Sequence, residues 1–369
     1  MANFLNAPAV QITCSGTAAQ IIALTTLQQS SKRSKVIIPA YTCPLVALAV
    51  LHCDLTPVLC DLAPGHFDLD HEQLAILANE NTLAIIPTHL GGYVADLTPV
   101  LQIARQHGIA VIEDAAQSLG ATWQGQPVGM AGTAGFYSLA VGKGLTLYEG
   151  GVLLTQDPRL RAQLQTTATQ VTPPKLGWEL RRSLELLGYA ALYRPSLLSL
   201  AYGRPLRRAL QRGNLIEAVG DDFSEDIPLH AVSSWRKQVG ANALTRLPQF
   251  ITTLRQQAEQ RLQRLNAIPD IQVMQDSAQG QGVWPFFMVL LPSREKRDAI
   301  LTNLWGSGLG VSRLYIHALP DYPYLAKHLV GVDCPNARDF AARMLTISNS
   351  HWLDERAFER ICLALDQPL

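Results

Sequence analysis

No stretch of this chain reaches the roughly 18 uncharged apolar residues that a membrane-crossing helix requires, so a transmembrane segment is not expected. Cysteine pairs are missing as well. The six cysteines (Cys14, Cys43, Cys53, Cys60, Cys334 and Cys362) are scattered without CxxC spacing, which argues against both a metal site of the zinc type and a disulfide framework. Neither sign of charge is in excess. The formal net charge is zero, so nothing global points to nucleic acid. The opening residues, Met1-Ala-Asn-Phe-Leu-Asn6, contain neither a charged leader nor a long apolar run. No signal peptide is expected, and a reducing cytoplasm is the expected compartment. There is no internal repeat and no low-complexity segment. What remains is a chain of 369 residues, 48% hydrophobic and 16% charged, long enough for two domains with real cores.

The first half alternates short apolar runs with helical patterns. Val36–Ile38, Pro57–Cys60, Leu83–Ile86, Ala110–Ile112, Gly135–Ser138 and Gly151–Thr155 read as buried strands, and Ala18–Gln29 and Val100–His107 as helices between them. Such alternation predicts an α/β layer with a mostly parallel sheet, whose ligands sit at the carboxyl ends of the strands. From Trp235 to about Leu265 the pattern predicts one long amphipathic helix, with Leu244, Leu247, Phe250, Ile251 and Leu254 on one face. Strands near 283–291 and helices near 294–306 and 336–344 predict a smaller α+β unit. The division expected is a large domain over 1–235 and a small one over 236–369. Between 175 and 212 the composition changes. Eight basic residues stand against Glu179 and Glu185, a net +6 in a neutral chain, and Trp178, Tyr189, Tyr193 and Tyr202 are interleaved with them. This stretch reads either as a solvated helical insertion or as a surface for anionic lipid headgroups or a lipid-linked diphosphate sugar.

One lysine stands apart. Lys143 lies between small and apolar residues in Phe136–Gly151, with a double glycine shortly after it. Upstream, the apolar run Val111-Ile-Glu-Asp114 ends in a carboxylate. A lysine with few charged neighbours can lose its proton and attack a carbonyl, and a buried carboxylate can hold a pyridinium nitrogen. These are the two protein groups that pyridoxal 5'-phosphate (PLP) chemistry requires. Ser15-Gly16-Thr17 precedes a helix, where free backbone N–H groups bind phosphate, although a simple N-cap explains the same residues. Gln117 follows Asp114 by one turn and is placed to meet a ring oxygen. Ser138 offers a hydroxyl to the same phosphate, or is an ordinary strand serine. His89 lies just past a strand, either lining a substrate pocket or as a hydrogen-bonded structural histidine. Arg313, Tyr315 and His317 are substrate candidates from the small unit, with surface or packing roles as the alternative.

Taken in order, these residues resemble the DegT/DnrJ/EryC1/StrS aminotransferases. Ser15-Gly-Thr-Ala-Ala19 is similar to the family's phosphate loop, Ile38-Pro-Ala-Tyr-Thr42 with Asp61 to its strand-end motif, and His89-Leu-Gly-Gly92 with Ala95-Asp96 to its next segment. Glu113-Asp-Ala-Ala-Gln117, the Ser138 to Lys143 spacing and Glu149-Gly-Gly151 complete the set, and the ending from Ala342 to Arg356 tracks the family's last strand and helix. The resemblance implies a fold type I PLP enzyme that takes an amino group from glutamate or glutamine and gives it to a keto sugar carried on a nucleotide. It implies Lys143 as the covalent anchor and proton shuttle, Asp114 on the pyridine nitrogen, Gln117 on the ring oxygen, and Gly16, Thr17 and Ser138 on the phosphate. It also implies a homodimer with a shared active site. Where the family often stacks an aromatic residue on the cofactor ring, this chain has Cys43, which is counted among the cofactor contacts. Where the family has a segment reaching into the partner's site, this chain has Gly220-Asp-Asp222-Phe-Ser224, with Asn214 as a substitute phosphate contact. The family's N-terminal arm is expected to be mostly missing. Two other readings accompany the resemblance. One is a sugar dehydratase or lyase, although relatives of that kind replace the lysine with histidine. The other is a non-catalytic regulatory protein with the same fold.

Overall fold

A computed structural model describes residues 1–329 and 333–367, without the side chains of residues 195 and 196. The first half forms a seven-stranded sheet. Its elements are β1 (Gln11–Thr13), α1 (Gly16–Gln28), β2 (Lys35–Pro39), α2 (Pro44–His52), β3 (Thr56–Cys60), α3 (His71–Leu77), β4 (Thr82–Ile85), α4 (Thr98–His107) and β5 (Ala110–Asp114). Two short strands, β6 (Thr122–Trp123) and β7 (Gln126–Pro127), precede β8 (Ala134–Ser138) and β9 (Gly151–Leu154). The spatial order is β1-β9-β8-β5-β4-β2-β3. β3, β2, β4, β5 and β8 run parallel, while β9 is antiparallel to both β8 and β1.

The burial pattern follows from the sequence. β2, β4, β5 and β8 are buried almost throughout, as parallel strands covered by helices on both faces must be, and the antiparallel β9 is buried with them. No charged residue occurs in α1, and most of the helix is buried. An uncharged helix that is apolar all round belongs between layers rather than on a surface.

The chain continues through α5 (Pro158–Val171) into the basic stretch. That stretch folds as α6 (Leu176–Leu192), α7 (Pro195–Leu198), a wide turn at Ser199–Gly203, α8 (Arg204–Gln211) and α9 (Leu215–Val219). The single long helix expected from Trp235 is two, α10 (Ser234–Leu244) and α11 (Leu247–Asn266). Pro248 sits in the first turn of α11. A proline there has no N–H to continue the preceding helix and disfavours helical backbone just before it. Leu247, Ile251, Leu254, Ala258 and Leu265 form the buried stripe of α11, whereas Phe250 is exposed.

The remainder comprises β10 (Gln272–Val273), β11 (Gly280–Gln281), β12 (Phe286–Leu290), α12 (Arg294–Leu304), β13 (Val311–Ser312), α13 (Pro323–Ala326), α14 (Pro335–Arg343), β14 (Met344–Ser348) and α15 (Glu355–Asp366). Its antiparallel sheet has the order β10-β12-β14-β13. β11 instead pairs with β6 of the first half, and one buried cluster joins Ile22, Val36 and Ile86 to Phe287, Leu345 and Phe358.

Candidate active site

Loops at the carboxyl ends of the parallel strands meet the N-terminus of α1. A cavity of about 440 Å³ there is lined by Gly16, Thr17, Cys43, His89, Asp114, Gln117, Ser138, Lys143, Glu149, Asp221 and Tyr315, among others. β2 delivers Cys43, β4 delivers His89, β5 ends in Asp114 and β8 ends in Ser138. Lys143 stands in the connection between β8 and β9.

Two glycines let these parts touch. A Cβ on Gly16 would lie 3.3 Å from the Ser138 Cβ, and one on Gly151 would lie 2.3 Å from the Ser15 carbonyl oxygen. The Ser15 hydroxyl caps α1 by accepting from the Ala18 N–H at 2.9 Å. Capping does not consume the site, because the amides of Gly16 and Thr17, which precede Ala18, donate to no partner among the described residues. Serine cap and phosphate loop are therefore compatible here.

Asp114 is buried, and its Oδ1 accepts the Ala116 N–H at 2.9 Å. Among the described residues no cation pairs with it. Burial pushes its carboxyl up to about 6, against partial relief from the Ala116 N–H, Lys143 and His89. Burial likewise holds the Lys143 amine below its ordinary value, with Cys43 and Asp114 pulling the other way. Cys43 lies close enough to feel both charges, and desolvation raises its thiol to about 12. The site thus presents one amine and one carboxylate, each short of a partner.

The remaining candidates separate. Gln117 lines the cavity, but its Oε1 already accepts the Gly91 N–H at 2.7 Å. His89 lines the cavity while its ring is held by Glu113 at 3.3 Å and by the Ala95 N–H at 3.2 Å, the geometry of a structural histidine. Tyr315 reaches the cavity, with its backbone tied to the Tyr41 hydroxyl. Arg313 does not line it. Its guanidinium donates to the carbonyls of Ile316 and Ala341 at 2.6 and 2.7 Å. His317 is also outside the lining and packs edge-on against Tyr322, 5.4 Å between ring centroids. Asn214 is exposed and caps α9, its amide donating to Glu217.

Sequence reasoning passed over two lining residues. Asp222 is exposed, whereas its neighbour Asp221 is buried, accepting from the Tyr322 hydroxyl at 2.5 Å and the Ile316 N–H at 2.9 Å. Glu149 lines the cavity and is paired with Arg182 of α6. Burial alone would raise Glu149, but His230 and Arg182 outweigh it and hold the carboxyl below its ordinary range. The Glu149-Gly-Gly motif marked the position, but its partners are distant in sequence.

Residues 1–176 and 235–366 match the model of the DegT/DnrJ/EryC1/StrS aminotransferase family. A GDP-perosamine synthase from Caulobacter vibrioides is 39% identical over 140 residues, 38% of each chain. A pleiotropic regulatory protein from Geobacillus stearothermophilus is 35% identical over 193 residues, 51% of this chain and 52% of that protein. The matched segment thus spans about half or less of the length of these relatives. The solved structure of the sugar aminotransferase CalS13 from Micromonospora echinospora covers 99% of this chain and 89% of its own, with TM-score 0.75 at 20% identity. The architecture is that of the fold type I transferases, an α/β domain with a mostly parallel central sheet.

Proposed function

The chain belongs to the DegT/DnrJ/EryC1/StrS aminotransferase family, and from that premise we propose that it moves an amino group from glutamate or glutamine to a keto sugar carried on a nucleotide. The setting proposed is cell-surface polysaccharide or secondary-metabolite biosynthesis in the cytoplasm, by a homodimer with a shared active site. The observation that carries the proposal is the confinement of Lys143, Asp114 and the free amides of α1 to one cavity.

PLP fits these residues. A buried carboxylate raised to about 6, with no paired cation among the described residues, is stabilised by a pyridinium nitrogen. The unpartnered helix amides beside Ser138 suit a phosphate. When bound, PLP supplies an aldehyde that couples to amines and a ring that withdraws electrons from the neighbouring bonds.

The chain's own residues then have defined tasks. Gly16 and Thr17 N–H and Ser138 Oγ would bind the phosphate. Asp114 would hold the proton on the ring nitrogen. Gln117, with its oxygen occupied by Gly91, has its amide nitrogen left for the ring oxygen. Lys143 Nζ, its basicity lowered by burial, would anchor the cofactor and afterwards accept and return a proton. Cys43 and Tyr315, which both line the cavity, would bound the ring. The substrate side of the cavity would exclude water through the buried Ile251, Leu254 and Val283, which line an adjoining space reaching Lys143.

Purified protein given PLP should bind it with a visible absorbance, and Lys143→Ala should abolish amino transfer to keto-sugar nucleotides. Full turnover in that variant would sink the assignment. Release of keto acid without a matching amino product would instead favour a lyase.

A further inference from the structure

Helix α6 (Leu176–Leu192), which lies almost wholly in the segment between the two stretches matched by the family model, turns its apolar face outward. Leu176, Leu180, Leu184 and Leu187 recur at helical spacing along one face of α6, and each is more than half exposed. The opposite face carries the charged and aromatic residues. Glu179 pairs with the buried Arg236 at 2.7 Å, Arg182 pairs with Glu149, and Tyr189 packs on Tyr148. A soluble helix ordinarily shows water the reverse arrangement, and a continuous exposed leucine stripe of this kind marks an interaction surface.

Charge identifies the partner. Lys175, Arg194, Arg204, Arg207 and Arg208 are exposed without a carboxylate partner among the described residues, while the exposed Arg181 and Arg212 pair with Glu185 and Glu217. Leu200 and Tyr202 are also about half exposed beside Arg204, Arg207 and Arg208. Stacking this surface on its own copy would bring the arginines of both chains together. An anionic bilayer accepts both features, with leucines in the acyl boundary and guanidinium groups at the phosphates. No described helix is long and apolar enough to cross a membrane, so the contact would lie in the plane of the surface. Tyr193, at the end of α6, packs against the exposed Trp352 with ring centroids 5.0 Å apart. It also lines the space that reaches Lys143, which sets this surface beside the candidate active site.

We propose that residues 175–212 dock this protein on an anionic lipid surface through the α6 leucine stripe and the surrounding arginines. The test is co-sedimentation of the full chain with vesicles of phosphatidylcholine alone and with added phosphatidylglycerol. Binding is expected only to the anionic vesicles, and salt should release it. Leu180→Asp/Leu184→Asp should abolish binding. Arg204→Gln/Arg208→Gln should weaken it by roughly 25-fold, about fivefold per charge. Both variants should keep the PLP absorbance and the oligomeric state of the parent, which shows that they fold. Absence of binding to anionic vesicles at low salt overturns the proposal, as does unchanged binding in either variant. Dissociation of an oligomer by the leucine variant would assign the stripe to a second copy and also overturn it. None of these readouts needs turnover, so their failure is distinguishable from failure of the aminotransferase assignment.

Discussion

Asp114→Asn should stabilise the cofactor-free protein while weakening its hold on PLP. The carboxyl of an unfolded aspartate titrates near 3.9, whereas burial pushes that of Asp114 up to about 6. The folded state therefore binds the proton more tightly. Between about pH 4 and pH 6 stability falls as pH rises, and above pH 6 the full penalty of the buried charge is present. A difference of that size corresponds to about 3 kcal/mol. Asparagine keeps an oxygen for the Ala116 N–H and carries no charge, so the cofactor-free variant should gain up to about 3 kcal/mol at pH 8. With PLP bound, the parent recovers that energy by pairing the carboxylate with the ring nitrogen, and the variant does not. Its apparent PLP affinity should fall on the order of 100-fold. Urea denaturation of both proteins, with and without PLP, on either side of the pH window measures each quantity. A cofactor-free variant no more stable than its parent at pH 8 would refute the burial argument. Equal stabilisation of both by PLP would refute the pairing.

Gly16→Ala should force the N-terminus of α1 away from Ser138, since the new Cβ meets the serine Cβ at 3.3 Å. PLP titration should show weaker binding, with a stability cost on the order of 1–3 kcal/mol. Arg236→Met should remove the guanidinium that Glu179 accepts from at 2.7 Å. Glu179 is only partly buried and keeps the Ser233 N–H, so chemical denaturation should register a loss on the order of 1–3 kcal/mol.

The parallel sheet was legible because runs such as Val36-Ile-Ile38 and Val111-Ile112 are apolar on both faces, and only a covered strand tolerates that. That Ser15–Thr17, Asp114, Ser138 and Lys143 would share one cavity was legible because they sit in or beside strand and helix ends, where short motifs set position locally. The helix break before Pro248 required weighing one proline against a long periodic pattern. The direction of α6 was not readable at all. Its leucines face outward because Glu149, Arg236 and Tyr148 meet its other side, contacts made across 29 to 57 residues. Arg313 and His317 shared a short segment with Tyr315, yet only Tyr315 reaches the cavity. Alternation along that irregular segment carried no signal of which side faces in.

Lys143 is the proposed anchor for PLP. Borohydride reduction of the PLP-loaded protein, followed by peptide mass mapping, locates that attachment directly. The cofactor should be fixed on the peptide containing Lys143 and on none in Lys143→Ala. Attachment to another lysine, or none in the parent protein, would contradict it.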